Sequence, residues 1–145
     1  MYFRLTAVAL LLAICNPDIG NAKSLQEINA EKLKTCHPQL AQVVTVVSLL
    51  TPIRVVTCYR TKKQQNKAYY RGNSKVLWPS SKHNRAPALA VDIIPAKFHY
   101  RSIGAFHILA DLMRVIGKQH GLTIIWGGDW RMRDYSHFEI RADQI

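Results

Sequence analysis

The sequence of 145 residues contains no internal repeat and no low-complexity tract, which excludes a repeat array. What is left is one domain, with 48% apolar content, enough for a single packed core. Acidic residues are scarce, with nine Asp and Glu against twenty Lys and Arg, so the formal charge is +11. That imbalance favours an anionic partner. No clear nucleic-acid motif accompanies the charge, which argues against nucleic acid and for the anionic polymers of a cell envelope. Cysteine is also rare. The three cysteines include no close-spaced pair, which weakens any case for a thiolate metal site.

What is present begins with Met1-Tyr-Phe-Arg4 and the apolar run Leu5 to Ile14. The run is too short to span a bilayer comfortably and has the charged start of a secretory signal. Small residues at Gly20-Asn21-Ala22 predict cleavage after Ala22, dividing the chain into a signal peptide, 1–22, and a domain, 23–145. A retained anchor, released later, is the alternative use of the same residues. The leader would carry off Arg4 and Asp18, so the mature charge stays at +11, and the protein is expected in the periplasm or outside the cell. Cys15 leaves with the leader, and Cys36 and Cys58 remain in an oxidising compartment. Between them, Pro38 to Leu50 reads as a helix with proline in its first turn, and Ile53 to Cys58 as a returning strand. Thirteen helical and six extended residues both span about 20 Å, so the two cysteines return to one end and a disulfide is predicted.

Two capping boxes punctuate the chain. Ser24 with Glu27 opens a short helix through Lys34, with Leu25, Ile28 and Leu33 on its apolar side. Thr61 with Gln64 opens another that stops near Gly72, leaving Arg60 at the joint between strand and helix. The helix from Pro38 carries an apolar stripe of Leu40, Val43, Val44, Val47 and Leu50. A polar loop, 73–88, precedes the strand Leu89 to Pro95, which has Asp92 in its middle. A buried carboxylate requires a cation, a metal or several donors. Ser102 to His120 reads as the longest helix, with Phe106, Leu109, Met113 and Ile116 facing the core and Gly121 at its end.

The last strands carry the densest chemistry. Leu122 to Trp126 is an apolar, β-prone run that breaks at Gly127-Gly128, and a second run resumes at His137 to Ile140. Alternation puts His137 and Glu139 on one face of that strand, with Phe138 and Ile140 on the other. His83, Asp92 and His137 together form a set of N and O ligands suited to zinc, with an open position for water.

Ser81-Lys-His83-Asn-Arg-Ala-Pro-Ala-Leu-Ala-Val-Asp92, then Trp126-Gly-Gly-Asp-Trp130 and Asp134-Tyr-Ser-His137-Phe-Glu139, resemble the zinc peptidases of the D-alanyl-D-alanine carboxypeptidase (VanY-like) family. Within it they are most similar to the L-alanyl-D-glutamate endopeptidases found as phage endolysins, and Tyr59-Arg60-Thr61 with Gln64 and Gln65 fits that branch. The similarity covers roughly Pro38 to Arg141. It implies a single α+β domain in which helices pack on a small antiparallel sheet, as in the Hedgehog and DD-peptidase fold. It implies Zn²⁺ held by His83, Asp92 and His137, Asp134 as catalytic acid and base, and Arg60 as the cation that stabilises the reacting carbonyl. Asp134 stands where D-Ala-D-Ala carboxypeptidases usually have Glu, which favours the endopeptidase. The nine positions from His83 to Asp92 exceed the usual family spacing, so the extra residues around Arg85-Ala-Pro-Ala bear on the shape of the substrate groove.

The expected function is hydrolysis of the peptidoglycan stem peptide between L-Ala and D-Glu by a monomer that needs no obligate protein partner. The alternatives are a D-Ala-D-Ala carboxypeptidase and, from another class, a non-catalytic zinc-containing module that binds the envelope. Against the latter, a purely structural site has no use for the free carboxylate of Asp134. Ser81, Trp126 and Trp130 are candidate substrate contacts, with Ser81 equally suited to capping its loop and the tryptophans to the core. Asp129 is either an outer partner of a ligand histidine or a turn residue.

Overall fold

A computed structural model of the chain describes residues 23–144; the expected signal peptide lies outside the described residues. The elements run α1 (Leu25–Leu33), α2 (Pro38–Leu50), β1 (Ile53–Thr57), α3 (Lys62–Tyr70), β2 (Ala90–Pro95), α4 (Ile103–Gln119), β3 (Ile124–Trp126) and β4 (His137–Ile140). Short 3₁₀ turns at Lys82–Asn84 and Gly127–Asp129 interrupt the loops. All strand pairs are antiparallel, in the order β1-β2-β4-β3, which makes the domain α+β as expected.

Strand register decides which residues face what. Asp92 is paired with His137 and Ala90 with Glu139, so these four share one face of the sheet. Val91 is paired with Phe138, and Trp126 with Phe138, so the apolar side chains fall on the other face. There α4 covers the sheet with Phe106, Leu109 and Met113, and α2 adds Leu40, Val43, Val44 and Val47, all buried. Leu50 was expected in that stripe but lies exposed at the end of α2, beyond the reach of the sheet. Gly121, at φ 74°, ends α4 in the left-handed conformation that a side chain disfavours.

Both capping boxes form, at Ser24/Glu27 and Thr61/Gln64. The expected apolar face of α1 forms only in part: Leu33 is buried in the core, but Ile28 is exposed, and Asn29 also points inward, its amide nitrogen donating to Ile53 O at 2.9 Å while its oxygen accepts from Val55 N at 2.8 Å. Lys32 Nζ also donates to Val55 O at 2.9 Å. The reason is the sheet edge: β1 is terminal, and its outer backbone groups need partners that apolar side chains cannot supply. α1 is therefore an edge cover built from polar side chains.

Cys36 and Cys58 are disulfide-bonded, with Cα atoms 5.2 Å apart across a sequence separation of 22. Both are buried, and Cys36 also forms a parallel bridge with Ala88, at the end of the long loop. The cross-link thus joins the end of β1 to the connection between α1 and α2, which in turn pairs with the segment that leads into β2. Replacing both cysteines with serine is expected to destabilise the fold by about 3 kcal/mol, a fall in Tm of roughly 10 °C by calorimetry at fixed pH.

Candidate active site

The polar face of the sheet opens into a cleft of about 1030 Å³. His83 reaches it from the 3₁₀ turn that Ser81 caps, the Ser81 hydroxyl accepting from His83 N at 3.3 Å. The turn is tied to the end of β1: Arg60 N donates to His83 O at 2.8 Å, and Asn84 Nδ2 donates to Arg60 O at 3.0 Å. Asp92 and His137 project side by side from β2 and β4.

Each of the three side chains has one end satisfied and the other free. His83 Nδ1 lies 2.6 Å from Cys58 O, to which it donates, leaving the Nε2 lone pair bare. His137 Nε2 lies 3.0 Å from Glu139 Oε2, leaving Nδ1 bare. Asp92 Oδ2 pairs with the Arg60 guanidinium, whereas Oδ1 is buried without a hydrogen-bond partner. The three free atoms form a near-equilateral triangle: 3.2 Å from His83 Nε2 to Asp92 Oδ1, 3.3 Å from His137 Nδ1 to Asp92 Oδ1, and 3.2 Å between the two nitrogens. Three lone pairs turned on one point repel each other unless a cation stands there. Bonds of about 2.0–2.1 Å at tetrahedral angles separate ligand atoms by about 3.4 Å, so the triangle fits a zinc-sized ion. All three side chains are buried, and they are the group of His, Cys, Asp and Glu among the described residues that could hold a metal.

Without a metal, a proton on His137 takes the cation's place. Burial opposes that charge, but Asp92 and Glu139 on its two sides outweigh burial and push its pKa up to about 9. Burial likewise works against an ionised Asp92, yet the protonated His137 ring and the Arg60 guanidinium beside it prevail and hold its carboxyl far below the usual range. A metal held at the triangle would compete with that proton for one edge of the His137 ring.

Asp134 lines the same cleft from the turn before β4. Ser136 fixes it, with N at 3.3 Å and Oγ at 2.9 Å from Asp134 Oδ1. Gly127 O accepts from Asp134 N at 2.9 Å. A Cβ on Gly127 would come within 2.5 Å of Asp134 O and 3.1 Å of His137 Cβ, so only glycine lets the turn close on both residues.

The other expected positions divide. Ser81 and Trp130 line the cleft, and the Trp130 ring centroid lies 4.9 Å from that of His137. Trp126 is corrected to a core residue: it is 1% exposed and donates from Nε1 to Tyr135 O at 2.8 Å, because alternation along β3 turns it onto the helix-packed face. Asp129 pairs with Arg114 on α4 and, among the described residues, with no histidine. Alternation gives Glu139 no role beyond sharing the His137 face, and residue type does not single out Lys82 or Ser136, yet all three line the cleft. Their signal was adjacency, since Lys82 precedes His83, and Ser136 and Glu139 bracket His137.

Two outcomes follow from this geometry. Gly127→Ala is expected to displace Asp134 and His137 and to destabilise the fold by about 1–3 kcal/mol, measured by chemical denaturation. For the metal-free protein, a histidine pKa raised on folding contributes stability that is fully present below the unfolded value of 6.5 and is lost as pH rises through about 9. Its Tm is accordingly expected to fall across that window, while metal-loaded protein, with no proton on His137 to lose, shows no such fall.

The sequence profile described as phage L-alanyl-D-glutamate peptidase matches residues 23–145. No curated protein sequence matches the chain. Among solved structures, the chain is similar to the Serratia marcescens L-Ala D-Glu endopeptidase ChiX, at 25% identity and a TM-score of 0.71, over 82% of this chain and 90% of that one. With the profile spanning the whole described domain, the chain belongs to the phage L-alanyl-D-glutamate peptidase family and is a peptidoglycan endopeptidase of the endolysin type.

Proposed function

We propose that the enzyme is zinc-dependent, with His83 Nε2, Asp92 Oδ1 and His137 Nδ1 as the metal ligands and Asp134 as the catalytic acid and base. One observation carries this reading: three bare, buried acceptor atoms converge at 3.2–3.3 Å in a cleft that Asp134, which takes no part in the triangle, also lines. When bound, zinc supplies Lewis acidity, lowering the pKa of a coordinated water from about 9 toward about 7.

The chain's own residues do the rest. With Oδ1 engaged by Ser136, Asp134 offers Oδ2 to the proton of the attacking water and returns it to the amine of D-Glu as the peptide bond breaks. The Arg60 guanidinium lies in the cleft and is the partner for negative charge on the reacting carbonyl oxygen. Because Arg60 also neutralises Asp92, its loss affects metal binding as well as turnover. Lys82 is engaged by Glu139, whereas Lys75 and Arg133 line the cleft without an acidic partner among the described residues, which suits a substrate rich in carboxylates. Ser81 and Trp130 are its candidate neutral contacts. The charged start and apolar run of residues 1–14 support export, with the mature enzyme acting as a monomer in the periplasm or outside the cell.

Two variants separate ligand from base. His137→Ala is expected to lose both zinc and activity; Asp134→Ala is expected to keep stoichiometric zinc by elemental analysis while activity falls at least a hundredfold. Full activity in Asp134→Ala would remove it from the mechanism. Mass analysis of muropeptides is expected to show new D-Glu amino termini; loss of terminal D-alanine alone would point to a carboxypeptidase instead.

A further inference from the structure

The side chains next to the two histidines form a second set of contacts with its own logic. Glu139 lies between Ala90 and Ile125 in the strand register, on the cleft face. Its Oε2 accepts from His137 Nε2 at 3.0 Å, and its Oε1 lies 3.1 Å from Lys82 Nζ. Lys82 Nζ donates in addition to Ile140 O, so one ammonium grips both a side chain and the backbone of β4. The Lys82 backbone runs directly into His83. A single ion pair thereby connects the two segments that carry the histidines.

The fold does not need this pair. β4 is already hydrogen-bonded on both sides, to β2 and β3, and a partly exposed ion pair adds little to stability. The imidazole does need it. The second side-chain torsion of histidine is broad and nearly two-fold, so the ring can turn over, which exchanges Nδ1 for a carbon atom. A flipped His137 would present carbon to the triangle and lose its ligand. An acceptor at Nε2 favours one orientation and one proton position, and leaves the Nδ1 lone pair facing Asp92 and His83.

We propose that Glu139, anchored by Lys82, is a positioning residue that sets the ring orientation of His137 for metal binding, while Lys82 holds the His83 turn against β4. This rests on the reading of His83, Asp92 and His137 as metal ligands. The test is zinc affinity of the full-length protein, by competition with a chromophoric chelator, together with the visible spectrum of the cobalt-substituted protein and the thermal unfolding of the metal-free form.

Wild type is expected to bind one zinc. Glu139→Ala is expected to bind it roughly ten- to a hundredfold more weakly, with an altered cobalt spectrum and a metal-free form that still unfolds in one cooperative transition. Glu139→Gln keeps an oxygen that can accept from Nε2 and is expected to recover most of the affinity. Lys82→Met is expected to weaken binding by less than Glu139→Ala, and the double variant by less than the product of the two single effects, because Lys82 acts in part through Glu139. Wild-type affinity in Glu139→Ala, or equal losses in the Ala and Gln variants, would overturn the proposal. Should Glu139→Ala fail to fold, wild-type affinity in Lys82→Met would overturn it. A wild-type protein that binds no zinc would sink the ligand assignment itself, an outcome read on the unaltered chain and so distinct from the others.

Discussion

A carboxylate in the middle of a buried strand has to be compensated or the strand cannot form, and Asp92 sets that demand on the whole domain. One of its oxygens is met by Arg60, brought in at the joint between β1 and α3. The other is flanked by two histidine nitrogens that have nothing to donate once their far ends are engaged by Cys58 O and Glu139. The arrangement is balanced only with a positive charge at its centre, whether a metal ion or, failing that, a proton. Much of the loop structure, from the capped turn at Ser81 to the bulge in the register of β1 beside Asp92, serves to bring those partners within reach.

The remaining strain is geometric. β4 must carry His137 toward the cleft and Phe138 into the core, and Asp134 must stand beside the same cleft although it lies three residues earlier, out of phase with the strand. The turn at Gly127 solves this by letting its carbonyl receive both Trp130 N and Asp134 N while the chain folds closely against Asp134. Rigid elements lie behind each of these groups: a four-stranded sheet, the α2 and α4 pair, and the disulfide at the end of β1. Preorganisation of this kind lets fixed charges act on a reaction without rearranging first.

Polar side chains also hold the edges. Asn29 and Lys32 close the outer side of β1, a strand that would otherwise offer its backbone to another chain. The basic excess is handled unevenly: Arg60 and Lys82 are paired with carboxylates within the cleft, and Lys75 and Arg133 line it without an acidic partner among the described residues. A strongly cationic protein therefore keeps part of its charge available in the cleft.

Sequence patterns were enough for the helices, whose caps at Ser24, Thr61 and Gly121 are local hydrogen-bonding and backbone preferences, and for the alternation that splits His137 from Phe138. They were also enough for the disulfide, because the lengths of a helix and a strand fix where a short connection returns, and for singling out His83, Asp92, Asp134 and His137 by residue type and motif. Tertiary structure decided what local pattern cannot reach. Ile28 and Leu50 are apolar yet exposed, and Asn29 is polar yet buried, because burial depends on which surface a helix meets. Trp126 went to the core and Trp130 to the cleft, since only the pairing of β3 with β4 sets the faces. Nor could one dimension show which nitrogen of each histidine is free, that Arg60 answers Asp92, or that Lys82 and Glu139 meet: these depend on distances across segments far apart in the chain, and those exist only once the sheet has set its register.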